Sequence, residues 1–140
     1  MPPVRPTMKH SALGALILAI LVVTQVRAEE IVVIVNPAAA PISKEQLADL
    51  YLARSSALIP IDQAAGSAIY VEFYKQATGR DSAQIKAIWA RILFTGRGVP
   101  PKQPPDSEAV KKAVAANPKA VGYIEKSAVD ASVKVALPLN

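Results

Sequence analysis

Histidine and cysteine, the side chains most often recruited as general bases, nucleophiles and metal ligands, are nearly missing from this chain. It has one histidine, His10, and no cysteine. His10 falls in a segment that reads as removable, so the working protein can form neither a Ser–His nor a Cys–His pair, nor the usual imidazole or thiolate metal site. A Ser–Lys pair or two carboxylates remain chemically open, yet no spacing singles one out. Asp62 and Asp106 both sit beside loops and read as loop and cap residues. No catalytic residue, metal ligand or cofactor is assigned, and the protein is expected not to be an enzyme.

The pattern that does carry chemistry is Ala65-Gly66-Ser67-Ala68, which joins a strand and loop to a helix start. Glycine lets a ligand approach the backbone closely, first-turn amides lack intrahelical acceptors, and the helix dipole favours negative charge. Gly66, Ser67 and Ala68 are therefore the candidate ligands for a small oxyanion, with the Ser67 hydroxyl as an extra donor. The competing reading is that Ser67 only caps its own helix. A second helix start, Asp106-Ser107-Glu108, argues the other way: its two carboxylates already neutralise that N-terminus and repel an anion. Arg97 and Lys102, in the loop ahead of it, read as solvated surface cations.

These groups need a frame, and the sequence alternates strands with helices. Ile31-Val32-Val33-Ile34-Val35 is apolar at every position, as in a strand covered on both faces. Ser43 with Gln46 forms a capping box for a helix through Leu47, Leu50 and Tyr51 that ends near Arg54. Ala57 to Ile61 is a short apolar run whose Pro60 marks an edge strand. Ser67 opens a helix with Ile69, Phe73 and Ala77 inside and Gly79 as its stop. Asp81, with Gln84, caps a helix whose face is Ile85, Ile88, Trp89, Ile92 and Leu93. Thr95 to Pro105 is a long loop with four prolines, suited either to a partner or to packing on the domain's own edge. Asp106 or Ser107 starts a helix ending at Asn117-Pro118, and strands at 121–124 and 133–136 flank a helical turn near 127–130. The alternation predicts an α/β layer fold with a mainly parallel sheet.

The first 28 residues have the three-part layout of a secretory signal peptide: a cationic start with Arg5 and Lys9, an apolar run from Ala12 to Val23, and the Val26-Arg27-Ala28 cleavage pattern. The run is shorter than the ~20 residues a membrane span needs. Cleavage leaves residues 29–140 as one domain, periplasmic and freely soluble, with no lipid-bearing cysteine. It also removes Arg5, Lys9 and Arg27 and no acid, lowering the formal charge from its value of +5. The remaining cations are scattered rather than clustered on a face, so nucleic acid is not an expected partner.

Four stretches, Ile42 to Leu52, Gly66-Ser67 with Glu72-Phe73-Tyr74, Trp89 with Phe94 to Pro101, and Ala116 to Glu125, stand out together. In order and spacing they resemble the small, single-lobe branch of the phosphate-binding (type II periplasmic substrate-binding) proteins of ABC transporters. Their order spans about Val32 to Val135. The resemblance implies a single-lobe periplasmic-binding-protein-like fold and a phosphate or similar oxyanion at Gly66–Ala68. It also implies a membrane transporter or sensor complex as partner. Ala65 stands where the family turn carries a hydroxyl, no Arg occurs between Ile59 and Ser67, and Tyr70 stands where short relatives often place an Arg. Those departures imply weak binding, or an interaction module that kept the lobe and lost the ligand. Such a module would dock through the 95–105 loop or the former cleft.

Overall fold

The computed structural model describes residues 2–4 and 29–139. Most of the expected leader, residues 1–28, lies outside the described residues, apart from Pro2–Val4. Strand β1 (Ile31–Val35) runs through the middle of a four-stranded sheet with β2 (Ile59–Pro60), β3 (Ala120–Glu125) and β4 (Lys134–Leu139), in the order β2-β3-β1-β4. All five residues of β1 are buried. Ile31, Val33 and Val35 face one apolar cluster, while Val32 and Ile34 face the other, the alternation that a strand imposes.

Helices supply both covers. On one face lie α1 (Lys44–Tyr51), α2 (Ala68–Thr78) and the start of α3 (Ser82–Phe94), through Leu47, Tyr51, Phe73, Tyr74 and Ile85. On the other lies α4 (Ser107–Ala115), through Val110 and Val114. Gly122 lets α4 settle onto the sheet: a Cβ there would lie 2.7 Å from Val110 Cγ1 and 3.0 Å from Val114 Cγ2. The caps fall where the sequence puts them. Ser43 and Asp81 form capping boxes with Gln46 and Gln84, and Gly79 closes α2 in the left-handed conformation.

The helix-flanked α/β architecture is as expected, but the sheet is mixed and not mainly parallel. β1 pairs antiparallel with both β3 and β4, and only β2 with β3 is parallel. A continuous apolar run reports that both faces of a strand are covered; it says nothing of the direction of its neighbours. Pro60 and Pro138 lie in the two outer strands, β2 and β4, where a missing ladder donor is tolerated.

The second departure is at α3. Ile85 is buried and Ile88, Trp89 and Ile92 are half-buried, but Leu93 is 56 % exposed and Phe94 94 % exposed. No described element covers the far end of that helix. The loop after it turns back and docks only from Lys102 onward, where Lys102 bridges Ile61 and its carbonyl accepts from Asp62 N–H at 2.8 Å. Part of the loop thus packs on the domain's own edge, while residues 95–100 remain exposed.

Candidate functional site

The turn before α2 is built around Gly66, whose φ of +83° places it in the left-handed region that glycine enters without a Cβ penalty. Ser67 is half-buried and committed to the fold: its N–H donates to Ala64 O at 3.1 Å, and its Oγ accepts from Tyr70 N–H at 3.3 Å. The capping role is therefore real, and only the hydroxyl proton of Ser67 is left to donate outward. Gly66 and Ala68 are exposed, and their amides have no acceptor among the described residues. Of the three residues singled out, two offer free backbone donors and one holds the helix end in place.

Ala65 and Gly66 line a groove of about 530 Å³ between the start of α2, one side of α3 and the Pro100–Gln103 segment, whereas Ala68 lines a separate depression beside Glu29, Glu72 and Glu125. Ser82, Lys86 and Gln103 add polar groups, and Tyr70, Trp89 and Leu93 supply much of the apolar wall. Lys86 is exposed and forms no ion pair with a described residue. Arg97 lies elsewhere, in a separate depression with Arg54, Trp89 and Val99, so it does not join the Gly66 turn.

Beneath the groove, in the loop after β2, sits a buried carboxylate. Asp62 is only 2 % exposed. Its Oδ2 accepts from the Tyr74 hydroxyl at 2.5 Å, and its Oδ1 accepts from the Tyr123 hydroxyl and from Gln63 N–H at 2.9 Å. Burial pushes the Asp62 carboxyl up from the ordinary range, outweighing the three hydrogen bonds that pull it down. Burial first, then the Asp62 charge, raises Tyr74 and Tyr123, and lifts Tyr70 to about 12. Tyr74 and Tyr123 act as hydrogen-bond donors to the carboxylate. When ionised, Asp62 opposes an anion in the groove, and Lys86 favours one.

Gln63 links this cluster to the second helix start. Its Nε2 donates to Tyr123 O and to Ser107 Oγ, both at 3.0 Å, and Ser107 donates to Glu125. Asp106 caps α4 by accepting from Ala109 N–H at 2.8 Å, and Glu108 pairs with Lys111 at 2.8 Å. That end is satisfied internally, as its two carboxylates led us to expect. The sequence signal for the hidden cluster was slight: an Asp-Gln pair directly continuing an apolar strand, and tyrosines at 70 and 74 on one helix face. No grouping of His, Cys, Asp or Glu suited to a metal ion occurs among the described residues. No described helix is long and apolar enough to cross a membrane.

No protein-family model matches the chain, and no curated protein matches it. Solved structures do. One is a protein assigned as a phosphate ABC transporter substrate-binding protein, with bound phosphate, from Clostridium perfringens. It aligns with a TM-score of 0.62 and 19 % identity over 77 % of this chain and 44 % of its own. Another is an ABC-type phosphate transport receptor from Vibrio cholerae, with a TM-score of 0.57 and 19 % identity over 76 % of this chain and 45 % of its own. The fold is shared with them. This chain spans a little under half the length of either structure, and at that identity the likeness establishes architecture alone.

Proposed function

We propose that the protein is a non-catalytic, exported module of the substrate-binding type that holds phosphate or a similar small oxyanion weakly. The ligand sits at the helix start formed by Gly66, Ser67 and Ala68, on the side where Gly66 lines the groove, with Lys86 as countercharge. The observation that carries this reading is the exposed, unbonded amide of Gly66, opening into the same groove as Lys86, whose ammonium pairs with no described acid, with the unbonded Ala68 amide two residues on at the same helix start. Its partner is a membrane transporter or sensor complex, and its place of work is the periplasm, reached through the leader at residues 1–28. Binding is weak because water reaches the open groove and weakens each dipolar contact, and because Asp62 lies beneath it.

Equilibrium dialysis with labelled phosphate, then with sulfate, tests this. Saturable, salt-sensitive uptake that falls in Lys86→Ala and in Ser67→Ala is expected; no saturation up to millimolar anion removes the ligand. The second reading, a lobe kept for interaction after loss of its ligand, is favoured by the exposure of Leu93 and Phe94. A gel-filtration series over concentration tests its self-associating form.

A further inference from the structure

Helix α3 is apolar on both sides. Its inner side packs toward the core through Ile85, Ile88 and Trp89, and Ile92 is half-buried. Its outer side carries Ala83, Ala87, Ala90 and Phe94 on one line of the helix, and all four are exposed. A surface helix ordinarily sets polar residues there. Instead, Lys86 and Arg91 flank the apolar line, one on each side. At the C-terminal end, Gly96 N–H donates to Leu93 O at 3.2 Å and Arg97 N–H to Ile92 O at 3.1 Å, with Gly96 at φ +69°. That double closure fixes the last turn of the helix. Phe94 is held there fully outward, and Val99, in the returning loop, is 75 % exposed.

Charge selects the occupant. From Ser82 to Pro105 the chain carries Lys86, Arg91, Arg97 and Lys102 and not one Asp or Glu. None of the four is in an ion pair with a described residue. A second copy set face to face would oppose these cations to themselves. An aromatic side chain standing clear of the surface, flanked by long cationic stems, is instead the pattern of a helix that lies on a bilayer: the apolar groups enter the headgroup–acyl boundary and the cations reach lipid phosphates. We infer that the outer face of α3, with the turn that follows it, docks on an anionic phospholipid surface. Phe94 enters the boundary, and Arg91 and Arg97 contact lipid phosphates. This surface borders the groove along Lys86 and Ala90, but its lipid contacts, Phe94, Arg91 and Arg97, are not groove residues, so the inference holds whether or not the groove takes an anion.

Trp89 is the single tryptophan of the chain, so energy transfer from it to a dansyl headgroup reads the approach of α3 to lipid. The purified protein is mixed with vesicles of phosphatidylglycerol and phosphatidylcholine, or of phosphatidylcholine alone, and followed by flotation and by Trp89 transfer. Binding to the anionic vesicles only, lost as salt rises, is expected. Arg91→Ala with Arg97→Ala should weaken it by roughly fivefold per cation, and Phe94→Ser should weaken it without altering the salt dependence. Lys44→Ala with Lys119→Ala, remote exposed cations, should leave it unchanged. All comparisons are between variants of one chain, so any contribution of the apolar leader cancels, and circular dichroism verifies that each variant is folded. Three results overturn the inference: no anionic-vesicle binding by the folded protein, equal binding to both vesicles, or equal losses in the remote pair. Retention on immobilised polyglutamate without vesicle binding also overturns it, assigning the face to acidic proteins.

Discussion

The Tyr123 hydroxyl donates a hydrogen bond to Oδ1 of Asp62, a residue 61 positions earlier in the chain. Tyr74 donates to the other oxygen of the same carboxylate, so one buried acid joins α2, β3 and the segment after β2 directly below the groove. Phe73 completes the attachment by stacking on the Tyr123 ring, with centroids 3.6 Å apart. The groove floor is thereby a fixed polar cluster inside an apolar layer.

Removing the acid should destabilise the fold more than altering it. Asp62→Ala leaves the Tyr74 and Tyr123 hydroxyls buried without an acceptor and should cost about 3 kcal/mol, at about 1–3 kcal/mol for each stranded group. Asp62→Asn keeps an acceptor oxygen and should cost about 1 kcal/mol. Urea midpoints at constant slope measure both.

The pH dependence follows from the raised carboxyl. Below the ordinary value of 3.8, Asp62 is protonated in both the folded and the unfolded chain. Above it the unfolded chain releases the proton while the folded state still retains it, so the folded state binds more protons and loses stability as pH rises through the native value. The stability of the natural protein relative to Asp62→Asn should therefore shrink from pH 3.8 upward, as read from paired urea titrations. A gap that widened with pH would mean that the hydrogen bonds, not burial, govern the carboxyl.

Spectrophotometric titration offers a separate check on the same cluster. The four tyrosines, Tyr51, Tyr70, Tyr74 and Tyr123, are all raised above 10.0 chiefly by burial. The folded protein should show almost no phenolate at that pH, with Tyr70 ionising near 12 and the rest only on unfolding.

Gly122 is a test of the other face. The nearest Val110 atom, 2.7 Å from an added Cβ, belongs to a packed helix, so Gly122→Ala must displace α4. A loss of about 1–3 kcal/mol is expected from such overpacking, visible in the thermal midpoint. Because the site lies across the sheet from the groove, anion uptake by the folded fraction should be unchanged.

Local chemistry made much of the frame legible. Ser43 with Gln46 and Asp81 with Gln84 announce their helices because a cap and its partner are three residues apart, and Gly79 ends α2 by its own backbone freedom. The direction of β1 was not legible, since its partners lie far along the chain and its side chains record burial alone. Asp62 does lie in a loop, but its burial is not legible in the sequence for a similar reason: Tyr74 and Tyr123, which hydrogen-bond it, are brought together only by the fold. The α3 stripe was read correctly as a pattern, but a pattern cannot say whether anything covers Leu93. At the candidate site, Gly66 and the Ser67 cap were visible in the sequence, whereas Lys86 became a neighbour only through the packing of α3 beside α2.

The account depends most on whether the free amides at the start of α2 receive an anion. Backbone amide NMR during a phosphate titration measures this residue by residue, with sodium chloride of matched ionic strength as the reference. We predict that the Gly66 and Ala68 amides show the largest shifts, that these saturate, and that Lys86→Ala weakens the response. Shifts that grow linearly without saturation, or that are spread over the surface and leave Gly66 and Ala68 unmoved, would contradict it.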